Sequence, residues 1–334
     1  MSAASHPYDT LTPDAVLDAL AAVGLYGDGR LMALSSYENR VYQVHLDDPF
    51  EGCPIVVAKF YRPQRWTEEQ ILEEHAFAAE LLQAEVPAVA PLAPQGATLH
   101  HFGGFAFSVS PRRGGRPPEL DDMNVLEWIG RFLARLHIVG AAAPFRSRPA
   151  LDIQSFAIEP RDWLMAHDAV PLEVQTEWRK ECDAAIAMIE AAFAQAKDAG
   201  VHHIRLHGDC HPGNILWTPD AGPHFVDLDD ARSGPAVQDL WMLLSGERAA
   251  RQRQLCALVD GYEQMREFDR AELALIEPLR TLRLIHYSAW LARRWGDPTF
   301  PINFPWFGTP DYWRGQVLML QEQQEAMEEA VLVV

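Results

Sequence analysis

The eight residues PRRGGRPP at 111–118 divide this chain into two textures. Ahead of them lie alternating and β-branched stretches. VYQVHL alternates apolar with polar residues, and PIVVAKFY is a run suited to a buried strand, so both predict β-structure. Two helices interrupt that pattern. In LTPDAVLDALAAVGL (11–25), Thr12 stands where a cap is needed, Pro13 in the first turn and Gly24 at the end. In TEEQILEEHAFAAELLQAE (67–85), apolar residues at 71, 72, 77, 78, 81 and 82 follow a threonine and an acidic first turn. AVAPLAPQGATLHHFGGFAFSVSP returns to strands broken by Pro and Gly. From about residue 122 the pattern is helical almost to the end, interrupted by a short strand-like pair near 215–226. The expectation is an α+β architecture of two lobes: a small β-rich one over 1–110 and a larger helical one over 111–334, with a hinge near 108–118.

Composition narrows the function classes. Forty-seven acidic side chains against 28 Lys and Arg give a formal net charge of −19. A surface so anionic does not suit nucleic acid or anionic membranes, both of which repel it. The four cysteines, at 53, 182, 210 and 256, form neither a CxxC pair nor a dense framework. That usage fits a reduced compartment. The first residues, MSAASHPYDTLTPDAV, show no basic segment followed by an apolar one, and no apolar run reaches the ~18 residues of a membrane span. A cytoplasmic monomer is the expectation.

Chemistry concentrates in RLHGDCHPGNILW (205–217) and HFVDLDDARSG (224–234). A metal site built on His207, Asp209, Cys210 and His211 lacks the second, separated ligand pair that structural zinc uses. HPGN is good turn chemistry, but a turn does not account for the acidic VDLDD that follows. Phosphoryl transfer accounts for both. It needs a carboxylate to take the proton of an incoming hydroxyl, and hard oxygen ligands for a magnesium ion on the triphosphate. Asp209 supplies the first. Asn214, five residues later, and Asp227, at the end of the next strand, supply the second.

The pattern HGDxHxxN followed by DLDD resembles the catalytic and metal-binding loops of the aminoglycoside/choline phosphotransferase branch of the protein-kinase-like superfamily. SSYENRVYQV, FYRPQRWTEEQILEEH, FVDLDDARSGPAVQDLWMLL and WLARRWGDPTFPINFPWF bring the likeness closer, to the bacterial stress response kinase A family of serine/threonine protein kinases, over nearly the whole chain. The resemblance implies a two-lobe protein-kinase-like fold, ATP as co-substrate and Mg2+ as cofactor. It implies Asp209 and Asp227 as catalytic residues, with Asn214 and Asp227 on the metal. Lys59 of VVAK corresponds to the lysine on the α- and β-phosphates, and Glu74 to its acidic partner, with Glu73 the neighbouring candidate. Ser36 corresponds to a nucleotide contact, and FAFSVSP (105–111), with Ser108 and Val109, to the adenine-binding hinge. Asp239 corresponds to the aspartate that buttresses the catalytic loop. Asp229 is a candidate for a second metal, or a turn cap.

Two departures bear on function. The turn LSSYENRVYQV carries no GxGxxG, so backbone amides and the hydroxyls of Ser35 and Ser36 would have to cap phosphate oxygens. After DLDDARSGPAVQD there is no long activation segment to dock a peptide. The acceptor is therefore open between a protein serine or threonine and a small hydroxylated molecule, for which an acidic cleft of the helical lobe would suit a cationic group. A non-catalytic nucleotide-binding module is the third reading, and it leaves Asp209 without a purpose. The aromatic FPINFPWFGTPDYW near the end reads as packing in preference to a binding surface.

Overall fold

The computed structural model describes residues 6–334. In chain order the elements are α1 (Pro13–Ala22), β1 (Gly27–Leu34), β2 (Arg40–Phe50), β3 (Cys53–Phe60), α2 (Glu68–Gln83), β4 (His100–Phe102) and β5 (Phe105–Pro111). Then come α3 (Met123–Ala142), α4 (Glu159–Ala166), α5 (Leu172–Asp198), β6 (Ile204–Leu206), β7 (Ile215–Thr218), β8 (Gly222–Phe225) and β9 (Arg232–Gly234). The chain ends with α6 (Val237–Trp241), α7 (Arg248–Tyr262), α8 (Ile276–Arg293), α9 (Thr299–Asn303) and α10 (Pro310–Glu328). Among the described residues no helix is long and apolar enough to cross a membrane.

The chain forms two compact units. The first comprises residues up to Pro118, together with Phe145–Arg148 and Pro212–Ala231. Its five-stranded antiparallel sheet runs β1-β2-β3-β5-β4. Alternation sends Val44, Leu46, Val56, Ala58, Phe60, Phe105, Phe107 and Val109 into a core shared with Val16, Ala19 and Leu20 of α1. Thr12 caps α1 by accepting from the amide of Ala15. Thr67 and Gln70 close a reciprocal capping box on α2, which stops its first turn from fraying. The hairpin β7-β8 joins this unit through Phe225, whose amide donates to Pro87 O at 2.7 Å and whose carbonyl accepts from the amide of Val89 at 3.0 Å.

The second unit holds Glu119–Pro144, Pro149–His211 and Arg232 onward. Helices α3 and α7 cross at unusually close range. A Cβ added at Gly130 would sit 1.9 Å from Leu258 O, and one at Gly261 would sit 1.9 Å from Glu127 O. Only glycines allow the two backbones to touch there. Strands β6 and β9 pair antiparallel, with Leu206 opposite Arg232. The stretch AVQDLWMLLSGERAARQRQLCALVDGYEQM forms two helices. It breaks where Gly246 turns to φ 78° and the amide of Ser245 is taken by the Gln254 side chain at 2.8 Å. The aromatic segment near the end is mostly interior: Phe300, Phe304, Phe307 and Trp313 are buried, Phe300 packs on Trp290, and Trp313 packs edge-on against Trp178.

Candidate active site

In the first unit, Lys59 lies on β3, whose alternation turns its side chain away from the core. Its ammonium sits 3.6 Å from Glu74 on α2 and 3.3 Å from both Asp227 and Asp229. Burial alone would discharge a lysine. Here Asp229 and Glu74 outweigh it and hold Lys59 well above the ordinary lysine range. Glu74, not Glu73, is thus the acid that faces Lys59. Glu73 accepts the amides of Arg146, Ser147 and Arg148 at 2.5, 2.9 and 2.8 Å. Arg148 in turn donates to the backbone carbonyls of Ala231 and Asp229 and lies 3.9 Å from Glu74.

The two ends of the β7-β8 hairpin set the oxygen donors side by side. Ile215 pairs with Phe225, so Asn214 falls opposite Val226, whose amide donates to Asn214 O at 3.0 Å. Asp227 follows immediately, with φ 59° and ψ 65°, a left-handed backbone that a non-glycine residue adopts at a cost. The bend leaves the Asp227 side chain 50% exposed. Asp229, two residues on, is only 3% exposed. It takes an ion pair from Arg65 and a hydrogen bond from Asn39 Nδ2 at 3.1 Å, while Arg65 also grips both oxygens of Asp230 at 2.9 Å. Burial would protonate Asp229, but Lys59 and Arg65 hold its carboxyl below the usual range.

In the second unit, the loop before Asp209 is held from beneath. Asp239, fully buried on α6, accepts the amide of His207 at 2.8 Å and that of Gly208 at 2.9 Å. His137 Nε2 lies 3.0 Å from the same carboxylate, and its Nδ1 lies 3.0 Å from the hydroxyl of Tyr262. Burial holds His137 neutral against the pull of Asp239, and the His137 hydrogen bond helps keep Asp239 ionised in spite of burial. Those directions fix the tautomer: Nε2–H donates to Asp239, and Nδ1 accepts from Tyr262. Gly208 adopts φ 85°, and Gln238 Nε2 donates to its carbonyl at 3.1 Å. Asp209 itself accepts from Arg283 Nη1 at 2.5 Å, with His211 3.6 Å from its other oxygen. Cys210 is fully buried, and burial pushes its thiol well above the ordinary range, which makes it unreactive.

The chain as a whole is similar to known proteins. Residues 31–276 match the model of the phosphotransferase enzyme family. Stress response kinase A of Escherichia coli K12 is 47% identical over 332 residues, covering 99% of this chain and 98% of that protein. The chain belongs to the stress response kinase A family of phosphotransferases. It is therefore an ATP-dependent kinase. A serine/threonine protein kinase, RdoA, of Salmonella typhimurium LT2 is 45% identical over 325 residues, covering 97% of this chain and 96% of that protein. Among solved structures, an amicoumacin kinase, hAmiN, in complex with AMP-PNP, Ca2+ and Ami has the same fold, with a TM-score of 0.70 over 96% of this chain and 95% of that one at 17% identity. A choline kinase of Cryptosporidium parvum follows at TM-score 0.59 over 89% of each chain and 13% identity. The two-lobe kinase-like fold expected from the motifs is the fold of this stress response kinase A relative.

Within the kinase, Lys59, Glu74, Asn214 and Asp227 come together in the first unit, and Asp209 lies in the second. Ser36 sits in the turn between β1 and β2, partly exposed. Ser108 stands opposite Lys59 across the β3-β5 pair, buried, with its hydroxyl 3.1 Å from that of Tyr61. Val109 is buried, and its carbonyl accepts the amide of Leu92 at 2.7 Å. Three participants were not singled out from the sequence. Arg65 was hidden among RPQRW, although three carboxylates in VDLDD call for a counter-charge. Arg148 gave no signal in its loop. His137 looked like one more residue on an apolar helix.

Proposed function

We propose that this kinase transfers the γ-phosphoryl of ATP to a serine or threonine hydroxyl of a protein, with magnesium as the metal. The observation that carries the reading is the loop His207–Asp209, where a buried carboxylate takes the amides of His207 and Gly208 and the Asp209 side chain stays partly exposed. A carboxylate on so fixed a loop suits a reaction in which positioning does most of the work. Asp209 orients the acceptor hydroxyl and takes its proton late. The hydroxyl oxygen bonds to the γ-phosphorus, the bond from phosphorus to the β-phosphate oxygen breaks, and ADP leaves. Lys59 holds α- and β-phosphate oxygens, and Glu74 keeps the ammonium in place. We assign Ser36, and Ser108 with Val109, to the phosphate and adenine ends of the nucleotide, and the first compact unit to the nucleotide-binding lobe.

Asn214 and Asp227 would hold the magnesium, which neutralises the triphosphate when bound. The donor set fits: both are hard oxygen ligands at adjoining ends of one hairpin, and Asp227 is half exposed. Among the described residues no three His, Cys, Asp or Glu side chains gather into a complete shell. The nucleotide and water would therefore complete the coordination, as is usual for magnesium. Four carboxylates (Glu74, Asp227, Asp229, Asp230) against three cations (Lys59, Arg65, Arg148) make ATP binding depend on that cation.

The protein acceptor is supported by the near-full-length likeness to a serine/threonine protein kinase. The second reading, a small hydroxylated acceptor, is favoured by the short run Ala231–Ala236 between Asp230 and α6, which leaves no long peptide-docking segment. Labelled γ-phosphate decides between them. Label appearing in proteins of an extract supports the first reading. Label appearing only in a small hydroxyl compound overturns it. ATP affinity that survives EDTA unchanged would overturn the metal assignment.

A further inference from the structure

The contact between Asp209 and Arg283 serves no purpose in the reaction as drawn above. Arg283 projects from the middle of α8 and occupies the oxygen Oδ1 of the carboxylate that must meet the acceptor hydroxyl. The pair is partly buried, with Arg283 41% and Asp209 22% exposed, so it is not sealed in the interior and solvent can reach it to exchange partners. Aromatic groups line the same helix. One turn along α8, His286 stacks on Phe156 with ring centroids 4.6 Å apart, and the guanidinium of Arg232 lies 4.7 Å over the Phe156 ring. Arg232 pairs with Leu206, three residues ahead of Asp209. Farther along α8, Tyr287 stacks on Trp290 at 5.5 Å. In a chain of net charge −19, α8 thus sets a cation, Arg283, directly on Asp209, with aromatic side chains farther along the same helix. This is the opposite of the acidic cleft expected for a cationic acceptor.

We propose that Arg283 sets acceptor specificity: it holds Asp209 while no acceptor is bound, then exchanges to an anionic group beside the hydroxyl, so that the preferred acceptor is an acidic serine- or threonine-bearing peptide. The inference rests on the protein-kinase reading above. The exchange leaves the reaction balanced. Arg283 keeps its proton throughout, and the proton of the hydroxyl passes to the carboxylate that Arg283 has released. An acceptor without an anion would have to separate the ion pair and offer the guanidinium nothing in return. A cationic acceptor would meet it directly, and like charges disfavour that encounter.

The test is labelled-ATP kinetics on serine peptides that differ only in flanking residues, glutamate, glutamine or lysine. The enzymes are the wild type, Arg283→Gln, Arg283→Lys, Arg283→Glu and, as a control, Asp209→Asn. The quantity read is the ratio of kcat/KM between flanks, with KM for ATP reporting that each variant is folded. Wild type is expected to favour glutamate flanks. Arg283→Gln should reduce that preference by about 10- to 100-fold, the worth of a charge-assisted hydrogen bond, mainly through KM. Arg283→Lys should keep the preference, and Arg283→Glu should move it toward lysine. If every variant slows all peptides alike and the ratios do not move, Arg283 only positions Asp209 and the proposal fails. If wild type labels no peptide at all, the protein-kinase reading fails and takes this inference with it. If Asp209→Asn keeps full turnover, the assignment of Asp209 fails whatever the ratios show.

Discussion

Lys59 Nζ lies 3.3 Å from Oδ1 of Asp229, and that contact is buried, whereas its equally short contact with Asp227 is half open to water. Distance alone does not rank the two. Breaking a buried pair strands a charge and costs about 3–5 kcal/mol, while an exposed pair contributes about 0–1 kcal/mol. Asp229→Ala is therefore expected to lower unfolding free energy in denaturant by several-fold more than Asp227→Ala. Equal losses would mean that Asp229 is not the anchor of this cluster.

Asp227 also carries a backbone penalty. At φ 59° an alanine is less favourable than a glycine by about 1 kcal/mol. We expect Asp227→Gly to be more stable than Asp227→Ala by that amount, with both devoid of turnover. Chemical denaturation of the pair checks the first expectation and a labelled-ATP assay the second.

Asp239 gathers three donors on one carboxylate: the amides of His207 and Gly208, and His137 Nε2. An asparagine in its place brings an NH2 group against N–H groups and orphans at least one buried donor, at about 1–3 kcal/mol. Asp239→Asn should lose stability by that much and turnover by more than tenfold, with little change in KM for ATP. A rise in KM for ATP alone, with kcat intact, would contradict the role of Asp239 as support for Asp209.

His75 gives the fold a pH signature. It is buried with its ring nitrogens 2.8 Å from the hydroxyl of Tyr61 and 2.9 Å from that of Thr98. Burial, with Lys59 and Arg148 nearby, depresses it from 6.5 to about 3. Once unfolded it takes a proton below about 6.5, and while folded it does not until about 3. Its contribution is thus present at neutral pH and is lost as pH falls through that window. The slope is at most about 1.4 kcal/mol per pH unit. His75→Gln, which does not titrate, should lose less stability between pH 7.5 and pH 5 than the wild type. Parallel urea midpoints across that range would sink the argument.

The crossing of α3 and α7 is equally exposed to test. Gly130→Ala drives a Cβ into Leu258 O and forces the helices apart. Overpacking of this kind costs about 1–3 kcal/mol or more. Because α3 carries His137 and α7 carries Tyr262, we expect turnover to fall along with stability. A surface alanine control on α7 should leave both unchanged.

The parts legible in the sequence were those that local chemistry writes directly. Alternation marks β2 and β3, threonine caps mark α1 and α2, and the spacing of Asp209, Asn214 and Asp227 points to phosphoryl transfer. Pairing of distant segments was not legible. Nothing in HHIRLHG announces that Leu206 will pair with Arg232, because three-residue strands carry no periodicity. Charge partners were equally hidden. The spacing on α2 favours Glu74 over its neighbour Glu73, but only the fold shows that Glu73 instead meets three amides of a loop over seventy residues away. Nor does the acidic total of the chain reveal that the cation on Asp209 is Arg283.

The excursion Phe145–Arg148, four residues lent by the helical part of the chain to the first unit, has a consequence for anyone who would dissect this kinase. A fragment ending at Pro118 contains the whole five-stranded sheet and both of its helices, and would look like a self-contained cassette. It would lack the amides that satisfy Glu73, the guanidinium near Glu74, and the hairpin that brings Asp229 to Lys59. The first unit is thus not modular in the genetic sense. It exists as a unit in space without existing as a segment of the gene, and transplanting it into another scaffold would require three pieces of chain.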